Sequence, residues 1–230
     1  LYDRPVIEKI GERLPITLAI NILSLVVIFA IAVPLGVLAA VRPHGLFDRL
    51  TTIFVFIGYS MPSFWLALLG MALFGVRLHW LPISGLHSLD YETFGWFRRL
   101  ADVGWHLLLP ITVSAFVSLA GLSRYARSSM IEVLRQDYIR TARAKGLPEG
   151  KVIFKHALRN AINPMITILG YHFSGLLSGA ALIEIICNWP GIGSLMLTAV
   201  RAKDVYLVMA SMLMGGILLF AHCARHGSPK

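Results

Sequence analysis

A chain of 230 residues that is 57% hydrophobic and 14% charged, at mean hydropathy +0.71, cannot cover a water-facing surface. A soluble domain needs roughly 25% charged residues for that purpose. The formal net charge of +9 suggests nucleic acid, but the basic residues are concentrated in one loop, which makes them a marker of membrane orientation instead.

Residues 1–13 read as a polar approach in which Val6, Ile7, Ile10 and Leu14 recur at helical spacing, as an interfacial helix would. Five stretches without Asp, Glu, Lys or Arg follow: Leu14–Val41, Leu50–Val76, Val103–Ser123, Ala161–Ile183 and Val205–Ala224. A bilayer core is crossed by about 20 apolar residues in a helix. The expected fold is therefore an all-α, polytopic membrane bundle over 14–221, with five spans near 14–41, 50–76, 103–123, 161–183 and 205–221. A soluble bundle of buried helices is the competing reading, but such helices rarely recur at this length. Pro34, Pro62, Pro110 and Pro164, with Gly36, Gly58, Gly70, Gly170, Gly175 and Gly179, supply kinks and close crossings common to transporters and structural bundles alike.

Orientation follows from charge. Arg124–Arg159 carries nine Lys/Arg against three Asp/Glu, whereas Arg77–Asp102 and Glu184–Asp204 are each balanced. The first is assigned to the cytoplasm, with Arg42–Arg49 and the tail; the balanced loops are assigned outside. Trp80, Trp96, Trp105 and Trp189 then fall at outer boundaries or loops, as an aromatic belt does. The N-terminus is placed outside, and with Leu1 rather than Met and no signal peptide this predicts a further span ahead of it. Cys187 and Cys223 are expected on opposite sides, unpaired, with Cys187 reachable from outside or at least near that surface.

The cytoplasmic loop 124–160 is expected to hold a helical hairpin. Ile131, Leu134, Tyr138 and Ala142 would share the apolar face of its first arm, with Arg143 and Lys145 in the last turn. Gly146 is placed for a left-handed C-cap, and Pro148 for the first turn of a second arm running through Val152, His156 and Asn160 to Pro164. Such a hairpin presents Leu147 and its neighbours for docking and exceeds what a topology anchor requires.

The run Asp137-Tyr-Ile-Arg-Thr-Ala-Arg-Ala-Lys-Gly146-Leu147, followed by His156-Ala-Leu-Arg-Asn-Ala-Ile-Asn-Pro164, resembles the cytoplasmic signature of ABC importer permeases. Within these it resembles the dipeptide/oligopeptide/nickel permease family. Arg13-Leu-Pro-Ile-Thr17, Pro34-Leu-Gly-Val-Leu-Ala-Ala40, Met61-Pro-Ser-Phe64, Leu81-Pro-Ile-Ser-Gly85 and Trp189-Pro-Gly-Ile-Gly193 extend the likeness over about residues 5–220. Arg140, Thr141 and Ala142 stand where the broader motif has Glu-Ala-Ala, so a role for that Glu does not carry over. The tail 222–230 departs from the family's longer ending. The resemblance implies a transport subunit, not an enzyme, in the inner membrane. It would pair with a second, similar permease. Two ATP-binding subunits would dock at Ala142, Arg143, Ala144, Lys145, Gly146, Leu147 and Pro148, and a binding protein would deliver substrate from outside. Peptides are the implied cargo, with nickel, glutathione or another small solute as alternatives. No phosphate-binding G-x-x-x-x-G-K-[ST] run occurs, so ATP and Mg are assigned to the partners, with no cofactor or metal on this chain.

His106 and His172 lie in the third and fourth spans, where a His pair can ligate haem or form interhelical hydrogen bonds. Glu184 and Asn188 sit at a boundary where polar residues are ordinary, with no nucleophile–base pair for an intramembrane enzyme. A channel or secondary transporter would have no use for the docking hairpin.

Overall fold

The computed structural model describes residues 4–175 and 181–226, with side chains described except at 117, 170–175, 215 and 218–226. Regular structure among them is helical throughout. Helix α1 spans Val6–Val41 and passes through Pro15 and Pro34 without a break. From Val6 the approach segment, read from the sequence as an interfacial helix, forms the first turns of α1. Packing holds it there: Ile10 is buried with Ala199 and Leu207, and Lys9 lies 3.8 Å from Asp204 in a buried ion pair.

Helix α2 spans Leu46–Ser60, and α3 spans Ser63–Gly70 before continuing as a π-helical turn, Met71–Arg77. The stretch 50–76, expected as one span, is therefore broken. Met61 is extended at φ −99°, ψ 124°, ahead of Pro62 at φ −61°, ψ 136°. A proline ring disfavours the α region for the preceding residue and supplies no N–H to continue the ladder, and at Met61 the chain takes the extended alternative. A 3₁₀ turn at Tyr91–Thr93 leads into α4, Trp96–Leu134, which contains Pro110 and overruns the predicted span 103–123 at both ends.

Helix α5 (Asp137–Ala144) forms one arm of a hairpin. The other arm runs as α6 (Glu149–Lys151), a π-helical turn (Val152–Ala157) and α7 (Leu158–Ala161). Then come α8 (Asn163–Gly175), α9 (Ala181–Ile186), α10 (Ile192–Arg201) and α11 (Val205–His226). The fourth predicted span, 161–183, includes residues outside those described. Among the described residues, α1 is the one unbroken helix long and apolar enough to cross a membrane. The pair Leu46–Ser60 with Ser63–Arg77, and the two parts of α4, Trp96–Phe116 with Ser118–Leu134, bring the number to three if each is one span.

The chain divides into two compact units. One comprises 1–25, 62–114 and 172–230; its core gathers Ile20, Ala67, Leu109, Val113, Ile183, Cys187 and Trp189. The other comprises 26–61 and 115–171. There Ile28 and Ala32 of α1 pack against Ala115, Leu119, Leu122 and Ala126 of α4 and Met165 of α8. Gly36 sets that crossing, because a Cβ there would stand 2.6 Å from the Ser123 carbonyl oxygen. In lipid, surroundings are as apolar as a core, so association rests on such close contact rather than on expelling water.

Candidate functional site

The hairpin begins where α4 stops. Gln136 is extended at φ −69°, ψ 150°, and α5 restarts at Asp137. The restart changes the helical phase, which corrects the expected apolar face. Ile139 and Ala142 are buried, whereas Tyr138 is 42% exposed. Its hydroxyl instead accepts a hydrogen bond from Asn160 Nδ2 at 2.8 Å, linking the two arms.

Gly146 closes α5 at φ 74°. Its N–H donates to the Arg143 carbonyl at 2.9 Å, and the Leu147 N–H donates to the Ala142 carbonyl at 3.4 Å. This paired closure requires a left-handed residue after the last turn. No atom lies within 4 Å of a Cβ built on Gly146, so the requirement for glycine is conformational rather than steric. Pro148, extended at φ −62°, ψ 139°, caps the second arm instead of opening it as the first helical residue.

The seven residues singled out from the sequence separate into distinct environments. Arg143, Ala144, Lys145, Gly146 and Pro148 are exposed, Ala142 is buried and Leu147 is half-buried. Leu147, expected to protrude, packs back on the hairpin core. Arg143 is exposed but paired, donating to the Glu149 carboxylate at 2.6 and 3.2 Å. That hydrogen-bonded guanidinium holds the Glu149 carboxyl below its usual range. In full solvent such a pair orients the turn more than it stabilises it.

The hairpin is also tied to the long helices of its unit. Ile139, Ala142, Val152, Ile153, Ala157 and Ala161 share a core with Val37 and Ala40 of α1 and Met130 of α4. Ser129 Oγ donates to the Ala161 carbonyl at 2.9 Å. Sequence reasoning missed a further tie. Asp48, buried in the first turn of α2, accepts from Arg127 of α4 at 2.5 and 2.8 Å and from the His44 N–H at 2.8 Å. The guanidinium keeps the Asp48 carboxyl low. A lone Asp among Arg42, Arg49, Arg124 and Arg127 was the available signal.

In the other unit, three motifs quoted separately from the sequence come together. Glu184 of α9 is buried and accepts from the Ser194 N–H at 2.9 Å, so a carboxylate sits at the N-terminus of α10. Thr17 of α1 donates to Glu184 at 3.4 Å and accepts from the Ile192 N–H at 2.9 Å. Trp189 Nε1 donates to the Gly85 carbonyl at 2.9 Å, and the Gly85 N–H donates to the Cys187 carbonyl at 3.0 Å. A Cβ on Gly191 would stand 2.5 Å from Glu184 Oε2, which explains the glycine beside the carboxylate. Asn188, at φ 52°, closes α9 as Gly146 closes α5, with its N–H on the Ile185 carbonyl and the Trp189 N–H on that of Glu184. Glu184 and Asn188 are thus structural groups with defined partners.

Cys187 is 2% exposed, and burial pushes its thiol up to about 11, which corrects the expectation that it can be reached from outside. The Cys223 and His172 side chains lie outside the described residues. His106 is buried, its Nδ1 2.8 Å from the Asp102 carbonyl oxygen. Among the described residues no group of three His, Cys, Asp or Glu side chains is placed to hold a metal ion.

The model of the family described as "Binding-protein-dependent transport system inner membrane component" matches residues 32–224. The oligopeptide transport system permease protein AppB of Bacillus subtilis (strain 168) is 42% identical over 215 residues, 94% of this chain and 66% of that protein. A putative peptide transport system permease protein of Brucella abortus (strain 2308) is 39% identical over 96% of this chain and 68% of its own length. The dipeptide transport system permease protein DppB of Escherichia coli (strain K12) is 37% identical over 94% of this chain and 67% of its own. The chain thus spans about two thirds of the length of these relatives. A chain in an inward-facing crystal structure of the MetNI methionine ABC transporter superposes with a TM-score of 0.69 at 16% identity, over 96% of this chain and 95% of that one. The fold is that of an ABC transporter permease, a helical membrane protein.

Proposed function

Because the chain belongs to the family of binding-protein-dependent transport system inner membrane components, we propose that it is a permease subunit of an ATP-driven peptide importer. It forms part of the membrane pathway beside a second permease, receives cargo from an extracytoplasmic binding protein, and couples to two ATP-binding subunits that carry ATP and Mg. The observation that carries this reading is the hairpin. Its exposed tip, Ala144–Gly146 and Pro148, is held by a glycine closure and rooted in a core shared with α1 and α4. A push on the tip has a packed route into the long helices, as coupling requires. The oligopeptide, dipeptide and putative peptide permeases among its relatives support peptide cargo.

Leu147→Asp would damage the hairpin itself, so docking is better tested at Lys145, which is exposed with no ion-pair partner among the described residues. In the assembled transporter, Lys145→Glu should leave membrane insertion intact while lowering ATPase co-purification and substrate-stimulated ATP hydrolysis. Normal assembly and normal stimulated hydrolysis would remove the tip from the coupling path.

A further inference from the structure

In the unit holding 62–114, a cavity of about 600 Å³ is lined by Phe74, Trp80, Leu81, Trp105, Leu108, Leu109 and Thr112. The one hydroxyl among these side chains is already engaged, because Thr112 Oγ1 donates to the Leu109 carbonyl at 2.9 Å. A peptide segment placed here would find few partners for its backbone N–H and C=O groups, and each group left unpaired carries a desolvation cost. An alkyl chain carries no such groups.

Two features identify the rest of the ligand. Trp80 and Trp105 are 61% and 52% exposed, and their indoles suit the level where lipid headgroups meet acyl chains. Arg77 ends the π-helical turn that supplies Phe74 and lies three residues before Trp80. It is exposed, with no hydrogen-bond or ion-pair partner among the described residues. The π turn is itself formed here, the Leu78 N–H reaching the Leu73 carbonyl at 2.9 Å; such turns recur at functional sites. An apolar cavity whose lining residues Phe74 and Trp80 flank an unpaired, exposed Arg77 in the chain matches an amphiphile with an aliphatic tail and an anionic head.

We propose that this cavity binds one acyl chain of a membrane phospholipid, whose phosphate is held by Arg77. Guanidinium and phosphate form charge-assisted, often bidentate hydrogen bonds. The exposed Trp96, Phe97 and Leu100 at the start of α4 are suited to rest in the same interfacial layer.

The test uses the assembled transporter in vesicles containing phosphatidylglycerol with a photoreactive diazirine on one acyl chain. After photolysis, adducts should concentrate on the peptides carrying Phe74–Leu81 and Trp105–Thr112. Leu108→Trp, which narrows the cavity, should reduce them while labelling elsewhere on the lipid-facing surface continues. Arg77→Gln should lower them roughly fivefold, since a cation near anionic lipid contributes about 1 kcal/mol. Even labelling of all exposed apolar faces, insensitive to Leu108→Trp, would overturn the proposal. So would labelling unchanged by Arg77→Gln, or a disulfide-linked dimer from Thr112→Cys showing that a second copy fills the cavity.

Discussion

At Gly146 the backbone stands at φ 74° with open space around the missing Cβ, so substitutions there are separated by conformational preference alone. Gly146→Asn should be tolerated, because Asn visits the left-handed region. Gly146→Val should cost about 1–2 kcal/mol or more, β-branching being the least compatible with positive φ. The measurement is substrate-stimulated ATP hydrolysis of the reconstituted transporter; equal loss in both variants would deny the closure its role. Asp48 and Arg127 form the other decisive contact of that unit. Asp48→Asn leaves a partly buried guanidinium without its counter-charge and should destabilise the chain by roughly 3 kcal/mol, the low end for a broken buried pair because Arg127 retains access to water. Because the Asp48 carboxyl is held low, its contribution is complete above the ordinary aspartate range and is lost as pH falls through the lowered value. Thermal unfolding in detergent across acidic pH should show this loss in the wild type and not in Asp48→Asn. On the other unit, Gly191→Ala drives a Cβ into the Glu184 carboxylate and should lower the unfolding temperature more than Gly95→Ala, where no atom lies within 4 Å.

Among the elements, α5, α9 and α10 end alike, on Gly146, Asn188 and Lys203 in the left-handed region. For α10 the Lys203 N–H reaches the Val200 carbonyl at 3.1 Å and the Asp204 N–H reaches the Ala199 carbonyl at 2.9 Å. Gly146 was legible as a cap because glycine announces positive φ. Asn188 and Lys203 were not, since their closures depend on where α9 and α10 stop. The same limit explains α5: hydrophobic spacing carried one helical phase from Ile131 to Ala142, but Arg135 and Gln136 interrupt it, and Ile139 rather than Tyr138 turns inward. Composition also hid α10 inside a stretch expected to be an outer loop.

For the whole molecule, charge bias predicts which loops face the cytoplasm, and burial now selects the positions to test it. Leu89 is fully exposed in the loop assigned outside, and Lys151 is exposed on the hairpin arm assigned inside. With Cys187 too buried to report, Leu89→Cys should react with an impermeant maleimide in intact cells, and Lys151→Cys only after permeabilisation. The reverse pattern would overturn the orientation and the docking role of the hairpin with it. Peptide cargo is checked by growth: deletion of this subunit should abolish growth on a peptide that supplies a required amino acid, with uptake of the free amino acid unchanged.

The sequence by itself determined that the protein is a helical membrane protein that resembles ABC importer permeases, because charge-free stretches of bilayer length and the ordered motifs that carry the resemblance are properties of the chain read in line. It also located the turn at Gly146, where a local conformational demand leaves a residue signature. Tertiary structure decided which side chains those motifs serve. Thr17 meets Glu184 and Ile192, Trp189 meets Gly85, and Asp48 meets Arg127 across separations of 167, 175, 104 and 79 residues. Hydropathy along the chain carries no record of such pairings. A buried carboxylate or guanidinium must find a partner, but only packing in three dimensions determines which one it finds.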